Sequence, residues 1–185
     1  LELQQSLERE KMLACTDGLT GISNRRYFFE LATSEFHAST RYQHPLTFLM
    51  FDMDDFKQVN DTLGHTTGDK LLMLVAQVAI AQVRASDVVA RYGGDEFIVL
   101  LPHTDAQHAL PVAERIRASV AAIRVETGNA PFTITLSMGI AEMRYAPVDE
   151  NVEHVIQRAD EAMYAAKAKG RNRIVIFGGH ETTAT

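Results

Sequence analysis

Two groups of carboxylates stand at the ends of apolar runs in this sequence. Asp52, Asp54 and Asp55 follow Leu46-Thr47-Phe48-Leu49-Met50-Phe51, and Asp95 and Glu96 lie between Gly93-Gly94 and Phe97-Ile98-Val99-Leu100-Leu101. If the two runs are neighbouring strands, the acids become neighbours as well. Like charges brought together retain protons unless a cation lies between them. Mg²⁺, with Mn²⁺ as the alternative, suits that position, because it takes oxygen ligands and uses one or two carboxylates together with substrate phosphates. Asp52 and Asp95 are the candidate ligands. Strand alternation should turn Glu96 away from Asp95, which makes Glu96 a poorer ligand for the same ion and a candidate base or brace of the loop. Gly93 and Gly94 carry no side chains that would keep a triphosphate from backbone N–H groups. Taken alone, a Gly-Gly turn does no more than connect strands, and acids beside it are ordinary surface charge.

The elements that would hold these residues can be read from periodicity. Leu46 to Phe51 is nearly continuous in apolar residues, as a strand buried on both faces would be. Asp87 opens a strand through Val88, Val89 and Ala90, and Phe97 to Leu101 returns, so that the glycine pair sits in a β-hairpin turn whose geometry calls for positive φ. Asn24 is placed to cap a helix carrying Phe28, Leu31, Ala32 and Phe36, and Asp69 to cap one over residues 70–84. Further helices are expected over 105–123 and 149–169, the latter stopped by Gly170. Residues 132–138 alternate apolar and hydroxyl side chains like a half-buried strand, and 173–177 form the last strand. The expected fold class is α/β (α+β), with helices flanking a mostly antiparallel, five-stranded central sheet.

Composition bounds the rest. The chain has 185 residues, 46% hydrophobic and 23% charged, enough for one substantial core. Its net charge of −6 argues against a general nucleic-acid binder, which needs clustered Lys and Arg. Cys15 is the only cysteine, so no disulfide forms within the chain and a reducing compartment is the simpler expectation. The longest apolar run, 71–83, falls short of the roughly 20 residues that cross a bilayer. Residues 1–15 read as the end of a connecting helix, 16–178 as the folded domain and 179–185 as a disordered tail. The first residue is Leu1, and the chain is expected to be a piece of a longer protein with a sensor or receiver domain upstream. The histidines, His103 and His108 among them, show no metal-site spacing.

Specialised residues crowd one stretch, from Asp52 through Phe56, Lys57, Asn60, Gly64-His65 and Gly68 to Asp69. Here the chain closely resembles the GGDEF family of diguanylate cyclases, whose motifs read DxLTGLxNRR, DxDxFKxxND, GHxxGD, RYGGDEF and AKxxGRN. This sequence has DGLTGISNRR, DMDDFKQVND, GHTTGD, RYGGDEF and AKAKGRN in the same order, covering about 16–177. Ile22 and Ser23 depart from the pattern, as does Asp55, where His or an aromatic residue is frequent. The resemblance implies a palm-like nucleotidyl cyclase fold with the GGDEF hairpin. It also implies condensation of two GTP into cyclic di-GMP and two pyrophosphates by a homodimer of domains, in the cytoplasm, in a protein that could be membrane-tethered elsewhere.

Carried over by position, the resemblance gives the metals to Asp52, the Met53 carbonyl and Asp95, with Glu96 as a further ligand or a base. It gives the phosphates to Gly93, Gly94, Lys57, Lys167 and Arg171, with Phe56 in the substrate pocket, and the guanine to Asn60 and Asp69. Carboxylate acceptance from the guanine donors would exclude adenine, which lacks them. Arg84 and Asp87 resemble the two ends of the family's inhibitory RxxD site for the product, with Arg115 as a further arm. Capping by Arg84 and Asp87 would explain those two equally well in isolation. Two further readings are a catalytically idle domain that binds GTP or cyclic di-GMP, and a dimerisation module. The intact acids oppose the first, and the matched nucleotide contacts oppose the second. A cyclase forming cyclic GMP is the related alternative.

Overall fold

A computed structural model describes residues 14–125, 132–145 and 150–179. The expected connecting helix falls almost wholly on residues outside these, and so does the expected tail beyond 179. In chain order the elements are β1 (Ser23–Asn24), α1 (Arg25–Tyr42), β2 (Leu46–Met53), α2 (Phe56–Leu63), α3 (His65–Gln82), β3 (Val88–Arg91), β4 (Glu96–Pro102), α4 (Ala106–Ala121), β5 (Leu136–Glu142), α5 (Val152–Ala168) and β6 (Arg173–Ile176). The sheet order is β1-β3-β4-β2-β5-β6. The three inner pairings are antiparallel, and the two edge pairings are parallel.

Alternation on the two central strands explains why helices cover both faces. Phe48 and Met50 of β2, with Ile98 and Leu100 of β4, pack with Phe28, Ala32 and Phe36 of α1 and Val155, Ile156 and Ala159 of α5. Their neighbours Leu49, Phe51, Phe97, Val99 and Leu101 pack with Leu72, Val75 and Ala79 of α3 and Ala109, Ala113 and Ile116 of α4. All eight residues of β2 are buried, so its register is fixed by the core on both sides. Phe51 and Phe97 stack across the β2–β4 pair with centroids 5.2 Å apart.

The mixed fold with a mostly antiparallel centre is as expected, with one strand more. The sixth is β1, two residues long, too short to carry a pattern of its own and held by parallel pairing to β3. Asn24 caps α1 as expected, its side chain accepting from Tyr27 N–H. Asp69 does not cap α3. The helix starts at His65, after Gly64 at φ 85°, which leaves Asp69 inside the helix and separates it from the unforeseen α2. The last sheet strand before α5 begins at Leu136 and not at Phe132, which forms only an isolated bridge to Val125. No helix among the described residues is long and apolar enough to cross a membrane.

Candidate active site

The register of β2 and β4 places Asp52 directly opposite Glu96. Opposed residues of an antiparallel pair share one face, and here it is the face covered by α5. From that helix Lys167 reaches down, its Nζ 2.9 Å from Asp52 Oδ2. Met53 N–H donates to the Asp95 carbonyl at 3.3 Å, so Asp95 adjoins the end of β2 one residue outside β4. Burial, together with the nearby charges of Asp95 and Glu96, outweighs the Lys167 contact and pushes the Asp52 carboxyl up to about 6. Glu96 is also raised, first by burial and then by Asp160 and Asp95. It lines a cleft with Arg25, Tyr92 and Asp160.

Two clamps hold the acids there, and neither is visible in local sequence pattern. Arg91 donates to the Gly94 carbonyl through Nε and Nη2, at 3.1 and 2.7 Å, and through Nη1 to Asp17 at 3.2 Å. Asp17 also accepts from Thr20 N–H and Oγ1. Burial opposes its charge, but the Thr20 and Arg91 contacts prevail and hold its carboxyl below the ordinary value. The hairpin is thereby tied to the loop before β1. The second clamp is Asp54, buried just past β2, which accepts from Thr135 Oγ1 at 2.7 Å, Ser137 Oγ at 2.6 Å and Asn172 N–H at 3.0 Å. Its two oxygens are taken up in joining β2, β5 and the turn before β6.

The turn glycines do not answer the expected need for positive φ. Neither Gly93 nor Gly94 has positive φ. A side chain at Gly93 would instead meet Glu96 Oε2, at 2.5 Å from the added carbon. A similar close approach occurs in the second half of the site. Asn60 Oδ1 is buried without a hydrogen-bond partner, against Gly68, where an added Cβ would lie 1.9 Å from that oxygen and 3.1 Å from the Phe56 ring. Asp69 is the next residue of α3 and is exposed, as is Lys57 on the first turn of α2. Arg171, at φ 61° after Gly170, turns toward Asp55, with Nε 3.5 Å from Oδ1.

A third constellation lies apart from the acids. Arg84, Asp87 and Arg115 line one cavity of about 450 Å³. Asp87 Oδ2 accepts from Arg84 N–H at 2.8 Å, and Arg115 Nη2 donates to the Gln82 carbonyl at 3.0 Å. These three were expected together, whereas Arg91 and Asp160 had no expected role and Asp54 was expected only as one more acid of the first group. Arg91 stands within one of the quoted motifs, and Asp54 beside the first acid, so position in those motifs was the available signal.

The family model described as diguanylate cyclase, GGDEF domain, matches residues 14–173. The chain belongs to this family. Among curated proteins it is 40% identical over 175 residues to the response regulator PleD of Caulobacter vibrioides, covering 94% of this chain and 38% of that protein. It is 41% identical over 162 residues to the diguanylate cyclase DosC of Escherichia coli, covering 87% of this chain and 35% of that one. This GGDEF chain thus spans well under half the length of either relative. Among solved structures, the coiled coil and GGDEF domain of DgcB from Caulobacter crescentus in complex with c-di-GMP superposes with a TM-score of 0.88 at 32% identity. That likeness covers 95% of this chain and 92% of the other.

The oxygen donors fit a hard divalent cation. Asp52 and Glu96 share one face beside the Asp95 carbonyl, and repulsion among the acids is what a cation would relieve. Among the described residues, no group of three or more Asp, Glu, His or Cys side chains is spaced to hold a metal ion alone. Two side-chain carboxylates and a backbone carbonyl make up part of a coordination shell, the usual arrangement when substrate phosphates complete it.

Proposed function

We propose that this GGDEF domain is an active diguanylate cyclase, condensing two GTP into cyclic di-GMP with release of two pyrophosphates. The observation that carries the reading is the meeting of Asp52, Glu96 and the Asp95 backbone at the end of two paired central strands. Names of relatives add support, since DosC is a diguanylate cyclase and DgcB was solved with c-di-GMP. Asp52, the Met53 carbonyl, Asp95 and Glu96 would hold Mg²⁺ or Mn²⁺. When bound, such an ion would acidify the attacking 3′-hydroxyl and offset charge growing at the α-phosphate.

The chain's own groups do the remaining work. Lys167, released from Asp52 as that charge is otherwise balanced, and the exposed Lys57 and Arg171 bind the triphosphate. The backbone of Gly93 and Gly94 receives it closely, with Glu96 behind the turn. Guanine is read by Asn60 and Asp69. The unpartnered Asn60 oxygen accepts from a base N–H, the Asp69 carboxylate accepts from the N1–H and 2-amino donors, and Phe56 bounds the pocket. Adenine lacks the N1–H and 2-amino donors and would leave the Asp69 carboxylate unpaired.

One domain holds one GTP, so bond formation needs two domains face to face, and upstream sensor or receiver segments would set how often they meet. GTP as substrate places the reaction in the cytoplasm. Arg84, Asp87 and Arg115 form the product site through which cyclic di-GMP inhibits the enzyme, Arg84 and Arg115 pairing with phosphate or guanine acceptors and Asp87 with the guanine donors. Mass analysis after incubation with GTP and Mg²⁺ tests the proposal. Cyclic di-GMP should appear, at a rate per chain that rises with protein concentration, and Asp95→Ala should abolish it. Intact GTP would mark an idle binding domain, and cyclic GMP a different cyclase.

A further inference from the structure

Two histidines that no nucleotide role uses line the same cavity as Arg84, Asp87 and Arg115: His103, on the turn after β4, and His108, in the first turn of α4. His103 is exposed, sits at φ 53° and has its ring centroid 4.4 Å from that of His44, which itself stacks on Tyr42. His108 holds Asp105 through Nδ1 at 2.8 Å, which leaves Nε2 as the ring nitrogen for a ligand. The charged groups facing the cavity are Arg84 and Asp87 from the turn before β3, Asp105 at the α4 cap and Arg115 from α4. The two arginines and two aspartates cancel, so the lining is neutral when both histidines are neutral and carries two positive charges when both are protonated. A cyclic dinucleotide carries two phosphodiester charges, matched only in the second state.

We propose that this pocket takes up protons with its ligand, His103 and His108 making the grip on a cyclic dinucleotide tighten as pH falls through the histidine range. The inference rests on the product-site reading above and adds its regulation. A bound phosphodiester brings negative charge beside both rings and so favours a proton on each, and the same linkage requires that protonation strengthen binding. Neither the phosphodiester nor guanine titrates between pH 6 and pH 8, so the dependence reports on the protein. Inhibition would then be strongest in acidified cytoplasm.

The test is calorimetric titration of the whole chain with cyclic di-GMP at pH 6 and pH 8, in buffers of different ionisation enthalpy. A histidine whose proton the ligand favours about tenfold changes affinity by about sixfold across that interval. Binding should therefore tighten at least about fivefold at pH 6, with net proton uptake. The double variant His103→Asn, His108→Asn should bind with the pH 8 affinity at both values, and Arg84→Ala should lose binding at both. Equal affinity at the two pH values, or unchanged pH dependence in the double variant, would overturn the proton link while leaving the product site intact. Absence of binding by the unsubstituted chain at either pH would overturn the product site and the link with it. Melting curves of the variants separate loss of binding from loss of fold.

Discussion

Asp52→Asn should make the domain more stable while ending its chemistry. In the folded chain the Asp52 carboxyl is pushed up to about 6 from an ordinary 3.8, by burial and by Asp95 and Glu96. That gap corresponds to at most about 3 kcal/mol against the ionised folded form. Its partner Lys167 is about a third exposed, and solvent there screens part of the gap, so the realised cost is nearer 1–2 kcal/mol. Between those pH values the folded chain keeps a proton that the unfolded chain has lost. Stability therefore falls as pH rises from about 4 to about 6 and stays at its lower level above. Asparagine keeps the shape, never ionises, and leaves Lys167 able to turn to solvent. In metal-free buffer at pH 7.5, Asp52→Asn should melt about 3–6 °C above the parent, the advantage shrinking to about a third by pH 4.5. Adding Mg²⁺ and GTP should raise the parent and not the variant. A variant no more stable at pH 7.5, or with a gain independent of pH, would refute the claim that burial and the neighbouring acids penalise an ionised Asp52 in the folded chain.

Gly68→Ala brings a carbon to 1.9 Å from Asn60 Oδ1 and should displace that side chain. The KM for GTP should rise by about tenfold, with stability changed by no more than about 1–3 kcal/mol; an unchanged KM in a steady-state assay would detach Asn60 from base recognition. Arg91→Ala frees the Gly94 carbonyl and Asp17 together and should lower kcat by about tenfold or more. Arg91→Lys should not restore it, because one ammonium cannot span both partners; full rescue by Lys would show that charge alone suffices. Asp54→Ala strands three donors in a buried place and should cost about 3–5 kcal/mol in urea titration. A loss below about 1 kcal/mol would mean that β5 and the turn before β6 are held elsewhere.

The parts of this fold that were legible in the sequence are those whose own pattern decides their state. The β2 run is apolar on both faces because the sheet is covered on both faces, and Asn24 caps α1 through a bond to a residue three positions on. Elements that depend on distant partners were not legible. Strand β1 is defined by its pairing to β3 and a single bridge from Ser23 to Thr16, and α2 is eight residues whose buried anchor is Val59. The same division runs through the site. Asp52 and Asp95 could be found because acids at strand ends are chemically conspicuous. Asp54 looked like one more member of the first cluster, whereas its partners lie 81, 83 and 118 residues away. The φ requirement expected at Gly93 is absent, and a side chain there would instead meet the Glu96 carboxylate, a contact that only the folded hairpin creates.

The clustered acids and the strongest hydrogen-bond clamps occupy the same end of the sheet for a physical reason. Asp52, Asp95 and Glu96 repel, and a strand end free to fray would separate them. Fraying is opposed one residue inward by the Phe51–Phe97 stack and by the bonding of β2 to strands on both sides. It is opposed one residue outward by Met53 N–H on the Asp95 carbonyl, by Asp54 N–H on the Thr135 carbonyl, and by the three donors on the Asp54 side chain. Arg91 does the same for the hairpin by gripping Gly94. The repulsion is thus stored in the native state instead of being relaxed, which is what pre-organisation for a divalent cation requires. It follows that substitutions of the clamps and of the acids should act in opposite directions on stability while both reduce turnover, a pairing that a merely surface-exposed acidic patch would not produce.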